Sequence, residues 1–182
     1  TIFAGTPAGG LWKTTNDGGS WTSLTDGIPS IGVSGIAINP GNPNIIYILT
    51  GDGDAGDTPC VGVLKSTNGG TSWTIINHWW GDGVAEVHAD KHMLSYRSNG
   101  DLFECNDGGI YISTNGGTVW ADKTNGIVIS QMYKLGVSQT VDDETITGLQ
   151  DNGSKLLTGG SWEDVKGGDG MECLIDYTNV NT

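Results

Sequence analysis

The chain repeats one short glycine-rich phrase three times, and this repeat constrains its fold more than any other feature. The copies are Thr14-Thr-Asn-Asp-Gly-Gly-Ser-Trp21, Ser66-Thr-Asn-Gly-Gly-Thr-Ser-Trp73 and Ser113-Thr-Asn-Gly-Gly-Thr-Val-Trp120. Glycine permits a positive φ, and Asn, Ser and Thr side chains bond to nearby backbone amides, so each phrase predicts a tight turn. A phrase that recurs roughly every 50 residues indicates a repeat architecture.

Short strand patterns surround each of these turns. A short apolar run precedes each phrase, and two more strands are predicted upstream of it in each complete repeat. In the second repeat, residues 33–38 alternate between apolar and small or polar side chains. Residues 40–44 predict a turn, and residues 45–49 are apolar. Four strands per repeat without a helical period predict an all-β fold, a β-propeller built from four-stranded antiparallel blades.

The spacing of the strands predicts how the chain divides into blades. The expected blades are 1–27, 28–80, 81–125 and 126–166, with the start of another at 167–182, including a strand at 171–176. Gly159-Gly-Ser-Trp162 is interpreted as a degenerate fourth copy of the phrase. About 3.5 to 4 blades make a partial propeller, so we expect one segment of a longer protein or a blade set that another chain completes.

The three phrases resemble the Asp-box, or BNR, repeat of sialidases, sortilin-type receptors and xyloglucanases. This chain has Asn at the third position, where the family usually has Asp. Residues 88–92, 106–111, 150–153 and 167–170 together are similar to secreted BNR-repeat proteins of Bacteroidetes-like bacteria. The resemblance implies a propeller, a secreted or cell-surface location and export by the type IX system. It also implies a structural role for these residues of the phrase: Asn16, Trp21, Asn68, Trp73, Asn115 and Trp120.

Composition excludes several classes of partner. The net charge is −13, with only eight Lys and Arg residues, so there is no basic footprint for nucleic acid. No apolar run reaches the roughly 18 residues of a membrane span. Three cysteines are too few for a disulfide framework, and three buried thiols or one bridge plus a free thiol remain open. A polysaccharide or an extracellular protein is the expected partner.

Aspartates recur at equivalent positions of the predicted blades. Asp52, Asp107 and Asp151 each follow a second strand, while Asp82 and Asp169 lie in connections to the next blade. Both kinds of loop lie on one face of a propeller, so we expect a rim of carboxylates there. The alternative is that Asp simply suits glycine-rich turns.

Two smaller groups are candidates for binding a metal. Asp52, Asp54 and Asp57 lie in a glycine-rich loop and could offer oxygen ligands to Ca²⁺, the alternative being a solvated acidic loop. The residues at positions 88, 90 and 92 are His, Asp and His, which share one face of a strand. They could hold a metal or form a hydrogen-bonded cluster.

An aromatic pair suggests a binding surface. Trp79 and Trp80 precede Asp82 on the acid-rich face, and we expect one indole in the core and the other exposed to stack on a sugar. With Asp151, these three residues form the predicted ligand-binding set. The main prediction is therefore a secreted or surface-attached propeller segment that binds a polysaccharide or protein and is not itself an enzyme.

Glycoside hydrolysis is the first alternative function. It needs two carboxyl groups, and the stretch 106–111 resembles the one that carries a catalytic Asp in xyloglucanases, although it is one residue shorter. Asp107 and Asp169 are the candidate catalytic pair. A sialidase site is excluded because Arg97 is the single arginine. A structural scaffold of a surface assembly is the second alternative.

Overall fold

The computed structural model describes residues 1–28, 32–51, 58–127 and 130–178. Within these ranges the regular elements are all β-strands, so the prediction of an all-β fold is confirmed. No helix in the described ranges is long and apolar enough to cross a membrane. The strands are β1 (Ile2–Thr6), β2 (Gly10–Thr14), β3 (Thr22–Ser23), β4 (Val33–Ile38), β5 (Ile46–Thr50), β6 (Val63–Ser66), β7 (Thr74–His78), β8 (Ala85–Glu86), β9 (Lys91–Tyr96), β10 (Leu102–Asn106), β11 (Gly109–Ser113), β12 (Ala121–Asp122), β13 (Met132–Val137), β14 (Thr145–Leu149), β15 (Ser154–Thr158) and β16 (Ser161–Lys166).

The strands form four sheets in two compact units, Thr1–Asn125 and Gly126–Thr182. The first unit contains the sheets β1–β3, β4–β8 and β9–β12, and the second contains β13–β16. Consecutive strands within each sheet pair antiparallel, except for the short parallel pair β7–β8. This is the meander of propeller blades, and a partial propeller fits it. The exact blade boundaries stay a prediction.

Strand β5 is the centre of the first unit. All five of its residues are buried, because its sheet is covered on both faces. Tyr47 and Leu49 pack into one apolar cluster, while Ile46 and Ile48 pack into another on the opposite face. Because successive side chains of a strand point to opposite faces, the continuous apolar run of β5 contributes to both clusters.

Neighbouring layers approach closely where a strand carries glycine. A Cβ built on Gly5 of β1 would lie 2.7 Å from the carbonyl oxygen of Val33 in β4. In the second unit, a Cβ on Gly148 of β14 would lie 1.9 Å from the carbonyl oxygen of Met171. Met171, at the start of the segment 171–176, thus lies against β14 as Val33 of β4 lies against β1. The prediction of a strand there is wrong, because no described segment pairs with it to complete a ladder.

The fourth glycine-rich turn differs from the other three. Gly159 and Gly160 form a two-residue hairpin loop between β15 and β16, and both have positive φ, 56° and 78°. Two positive φ values are typical of the type I′ turn, whose twist matches that of the flanking strands. The expected degenerate copy of the phrase is therefore a simple hairpin.

Candidate functional site

The three glycine-rich turns 14–21, 66–73 and 113–120 are held by the same hydrogen bonds. Asn68 Oδ1 accepts bonds from the Ser66 hydroxyl and the Ser72 backbone N–H, both at 2.9 Å. The Ser66 hydroxyl oxygen in turn accepts the Gly70 N–H at 2.9 Å. Equivalent bonds form around Asn16 and Asn115. These residues close turns, as the sequence led us to expect, although membership of the Asp-box family stays a prediction.

The tryptophans that end these turns have different surroundings. The Trp73 indole N–H donates to the Leu24 carbonyl of the first sheet at 2.9 Å, so this turn also joins two sheets. The Trp120 indole N–H donates to Gly117 O within its own turn at 3.1 Å. Trp21 is 41 % exposed.

Asp107 lies in the short turn that joins β10 to β11. Its Oδ1 is 2.5 Å from His92 Nε2, on β9. The Asp107 side chain is 26 % exposed and that of His92 is 50 % exposed. The first catalytic candidate is therefore open to solvent and paired with a titratable group that the sequence did not connect to it.

Backbone and side-chain contacts hold the turn that carries Asp107. The Asn106 side-chain oxygen accepts the Gly108 N–H at 2.9 Å, and the Thr124 hydroxyl oxygen accepts the Ile110 N–H at 3.1 Å. A Cβ on Gly108 would lie 2.5 Å from the His88 ring, so the imidazole packs directly on this glycine. The close packing explains why glycine follows the aspartate.

A buried polar cluster lies behind this turn. Glu104 on β10 is fully buried and forms an ion pair with Lys91 on β9, which is 3 % exposed. Asn77 on β7, also fully buried, donates its side-chain N–H to Glu104 at 2.6 Å. Asn106 donates to the same carboxylate at 3.3 Å. Sequence reasoning missed this cluster, because its members are brought together by pairing between distant strands.

Charge and burial also perturb the side chains beside this cluster. Burial raises the pKa of Tyr111, and the nearby carboxylates of Asp122 and Glu104 raise it further. Hydrogen bonds from the Thr124 hydroxyl and backbone N–H lower the pKa of Asp122. The region around β10–β11 therefore combines one neutral phenol with several carboxylates.

The aromatic pair lies in the connection between β7 and β8. Trp79 and Trp80 are 41 % and 68 % exposed, so the expectation that one indole belongs to the core is wrong. The two rings stack on each other with centroids 3.9 Å apart. The His78 imidazole accepts the backbone N–H of Trp80 at 3.2 Å, and Asp82 follows with a positive φ of 44°. Mutual stacking allows both indoles to stay outside the core while each shields one face of the other.

In the second unit, Asp151 and Asp169 are hydrogen-bonded to each other. Asp151 follows β14 with a positive φ of 56°, and its backbone N–H donates to Asp169 Oδ1 at 2.9 Å. The second catalytic candidate thus supports the turn that carries a predicted ligand-binding residue. A separate concavity of about 300 Å³ on the β13–β16 sheet is lined by Met132, Leu149 and Trp162, and contains none of the predicted site residues.

Of the two residue groups predicted as metal candidates, the structure describes only one. Asp52, Asp54 and Asp57 lie outside the described residues, so the calcium site stays a prediction. His88 and Asp90 precede β9, which begins at Lys91, and Asp90 has a positive φ of 50°. Positive φ breaks the alternation of a strand, so the expectation that His88, Asp90 and His92 share one strand face is wrong. In the described part of the chain the cysteines are free thiols, as one alternative expected, but each is only partly buried where that alternative had all three buried.

Two kinds of comparison relate the chain to known proteins, and no protein-family model matches it. A xyloglucanase of Hypocrea jecorina (strain QM6a) is 26 % identical over 131 residues, which are 61 % of this chain and 16 % of that protein. The chain therefore spans about a sixth of the length of this curated relative.

Solved structures with the same fold include enzymes of the GH74 class. The GH74 enzyme of Niastella koreensis has a TM-score of 0.54 and 22 % identity, covering 92 % of this chain and 28 % of that one. An ancestral GH74 enzyme has a TM-score of 0.51 and 20 % identity, covering 92 % and 22 %. The chain is thus a partial β-propeller.

Proposed function

We propose that this chain is part of a glycoside hydrolase that acts on a β-glucan of the xyloglucan type, and that Asp107 is one of its two catalytic carboxylates. This replaces the binding module as the first choice, because the similarity to a xyloglucanase and the GH74-type fold support the hydrolase alternative. The observation that carries the proposal is the turn at Asp107. It presents a partly exposed carboxylate from a rigidly held loop.

The contact with His92 bears on whether Asp107 acts as the acid or as the base or nucleophile of the reaction. An ionised Asp is a hydrogen-bond acceptor only, so Asp107 Oδ1 accepts when His92 donates its Nε2–H. A charged carboxylate suits the base or nucleophile of glycoside hydrolysis and not the acid that protonates the leaving group. We therefore assign Asp107 the base or nucleophile role. That Asp169 supplies the second carboxyl group stays a prediction of the sequence.

The test uses the full-length protein that contains this chain. Purified protein is incubated with xyloglucan and mixed β-glucans, and reducing ends are measured. We expect Asp107→Asn to lower the rate by about 100-fold or more, as loss of an acid–base group does. Asp17→Asn is the matched control, since Asp17 lies in the first glycine-rich turn and Asn tolerates its positive φ of 55°. Wild-type protein without hydrolysis, or an active Asp107→Asn variant, rejects the proposal.

Glycan binding without cleavage is the second candidate function, and the exposed indoles favour it. Aromatic rings near carboxylates offer flat apolar faces to sugar rings. Affinity for xyloglucan can be measured in the Asp107→Asn background, where we expect hydrolysis to be about 100-fold slower or more. We expect Trp80→Ala to weaken binding by roughly tenfold, which is about one stacking contact. Trp162→Ala, which removes another exposed indole from a different sheet, is expected to leave the affinity unchanged. Equal loss in both variants would argue against a defined aromatic platform.

A further inference from the structure

The buried cluster in the first unit joins two neighbouring sheets through three reactive side chains. Asn77 lies on β7 of the second sheet, while Lys91 and Glu104 lie on β9 and β10 of the third. Their exposures are 0 %, 3 % and 0 %. An amine, a carboxamide and a carboxyl group are therefore enclosed together without bulk water.

One carboxylate bridges the amine and the amide. Glu104 Oε1 contacts Lys91 Nζ, and Glu104 Oε2 accepts the Asn77 side-chain N–H at 2.6 Å. The Asn77 carbonyl oxygen, Oδ1, accepts the backbone N–H of Val63 at 3.1 Å. A hydrogen bond to this oxygen polarises the Asn77 Cγ=O bond and stabilises negative charge that develops on it.

Stability alone does not account for this choice of residues. A buried ion pair is weak evidence for stability, because apolar residues of similar volume often serve as well or better. The three groups do, however, match what the condensation of an amine with a carboxamide requires. We propose that Lys91 Nζ and Asn77 Cγ form an intramolecular isopeptide bond, with Glu104 transferring the protons.

The reaction balances without an oxidant, a reductant or a further reactant. Glu104 first takes a proton from the Lys91 ammonium, which leaves a neutral amine and a carboxylic acid. The amine lone pair attacks Asn77 Cγ, and the Val63 N–H stabilises the resulting oxyanion. Glu104 gives its proton to Nδ2 and, again a carboxylate, takes one from the attacking nitrogen, so the carbonyl re-forms, the Cγ–Nδ2 bond breaks and ammonia leaves. Ammonia departs as ammonium when Glu104 returns its proton.

Asn77 is a better electrophile than Asn106, the other amide beside Glu104. Asn106 is 8 % exposed, and its N–H lies 3.3 Å from the oxygen that already contacts Lys91. Asn77 is fully buried and has the shorter bond, to the other carboxylate oxygen. Exclusion of water also protects the intermediate from hydrolysis. The bond would covalently join the second and third sheets.

The test is a peptide map of the wild-type protein, digested with trypsin after denaturation. Trypsin cleaves after Lys65, Lys91 and Arg97, but it does not cleave at a lysine whose amine has become an amide. We expect a peptide spanning residues 66–97, uncut at Lys91 and lighter by one ammonia. Loss of ammonia by ring closure at Asn68–Gly69 gives the same mass change, but leaves Lys91 cleavable. Complete cleavage at Lys91 with unchanged mass overturns the proposal.

Two variants test the assigned roles. Glu104→Gln keeps the shape of the side chain but cannot transfer protons in the same way, so the linked peptide should fall from the main species to below detection. Asn106→Ala removes the competing amide, and the linked peptide should persist. A link that survives Glu104→Gln, or that maps to Asn106, contradicts the assignment. The wild-type map decides the main question even if a variant fails to fold.

Discussion

Tyr96 is the residue whose ionisation should limit alkaline stability. Its ring meets Tyr47 edge to face at 5.9 Å, and burial, with the neighbouring Tyr47, raises its pKa to about 12. The folded state thus favours the neutral phenol. This contribution to the free energy of unfolding is complete below the unfolded pKa of about 10, and is lost as the pH rises through about 12.

Replacing this phenol should flatten the alkaline decline in stability. We expect Tyr96→Phe to lose less of its free energy of unfolding between pH about 10 and about 12 than the wild type, measured by urea denaturation. Tyr177→Phe is the control, because Tyr177 is 75 % exposed and meets water in both states. A decline as steep in Tyr96→Phe as in the wild type would place its cause elsewhere.

The third glycine-rich turn lacks one bond that the first two have. The amide N–H groups of Asn16 and Asn68 donate to Ser20 and Ser72, at 3.0 Å and 2.8 Å, but the third turn has Val119 at that position. Val119 is 60 % exposed. We expect Val119→Ser to restore the bond and raise the free energy of unfolding by about 0.5 kcal/mol, the low end for a hydrogen bond near water. Val119→Ala offers no acceptor and should show no gain.

The elements that could be predicted from the sequence are those with local causes. The turns at Asn16, Asn68 and Asn115, the alternation of β4 and the apolar run of β5 depend on neighbouring residues, so local patterns found them. The late start of β9 depends on the positive φ of Asp90, which is common for Asp but not signalled by spacing. The contacts between Glu104, Lys91 and Asn77 depend on strand pairing across many residues. No local pattern contains that information.

The β10–β11 turn is the element on which the proposed site depends most. Because His88 packs on Gly108, an added Cβ must displace either the imidazole or the turn that carries Asp107. We expect Gly108→Ala to reduce xyloglucan hydrolysis at least tenfold by reorienting the carboxylate. Its thermal midpoint should fall by only a few degrees.

Gly27→Ala is the matched control for this prediction. A Cβ on Gly27 has no heavy atom within 4 Å, so activity and stability should both remain near the wild-type values. Full activity in Gly108→Ala would show that the turn tolerates the displacement, and that the position of Asp107 is not set by the packing of His88.

At the scale of the whole molecule, burial is distributed unevenly between the two units. Among the described residues, the two apolar clusters lie within Thr1–Asn125, whereas Leu149 is the one buried hydrophobic residue of Gly126–Thr182. The sequence suggested no such difference, because β13 has an apolar pattern like that of β4. In the structure, Met132, Tyr133 and Leu135 of β13 are 53 %, 42 % and 57 % exposed.

This difference in burial predicts different local stability within one chain. Amide protons exchange through local opening, and strands with few buried apolar contacts open at lower free-energy cost. We therefore expect the amides of β13–β16 to exchange at least about tenfold faster than those of β4–β6, measured by hydrogen exchange with mass spectrometry on the native chain. Denaturant below the unfolding midpoint should widen the gap if the second unit opens first. Equal protection in both sets of strands would mean that the chain opens as one cooperative body, and that exposure of β13 does not govern its stability.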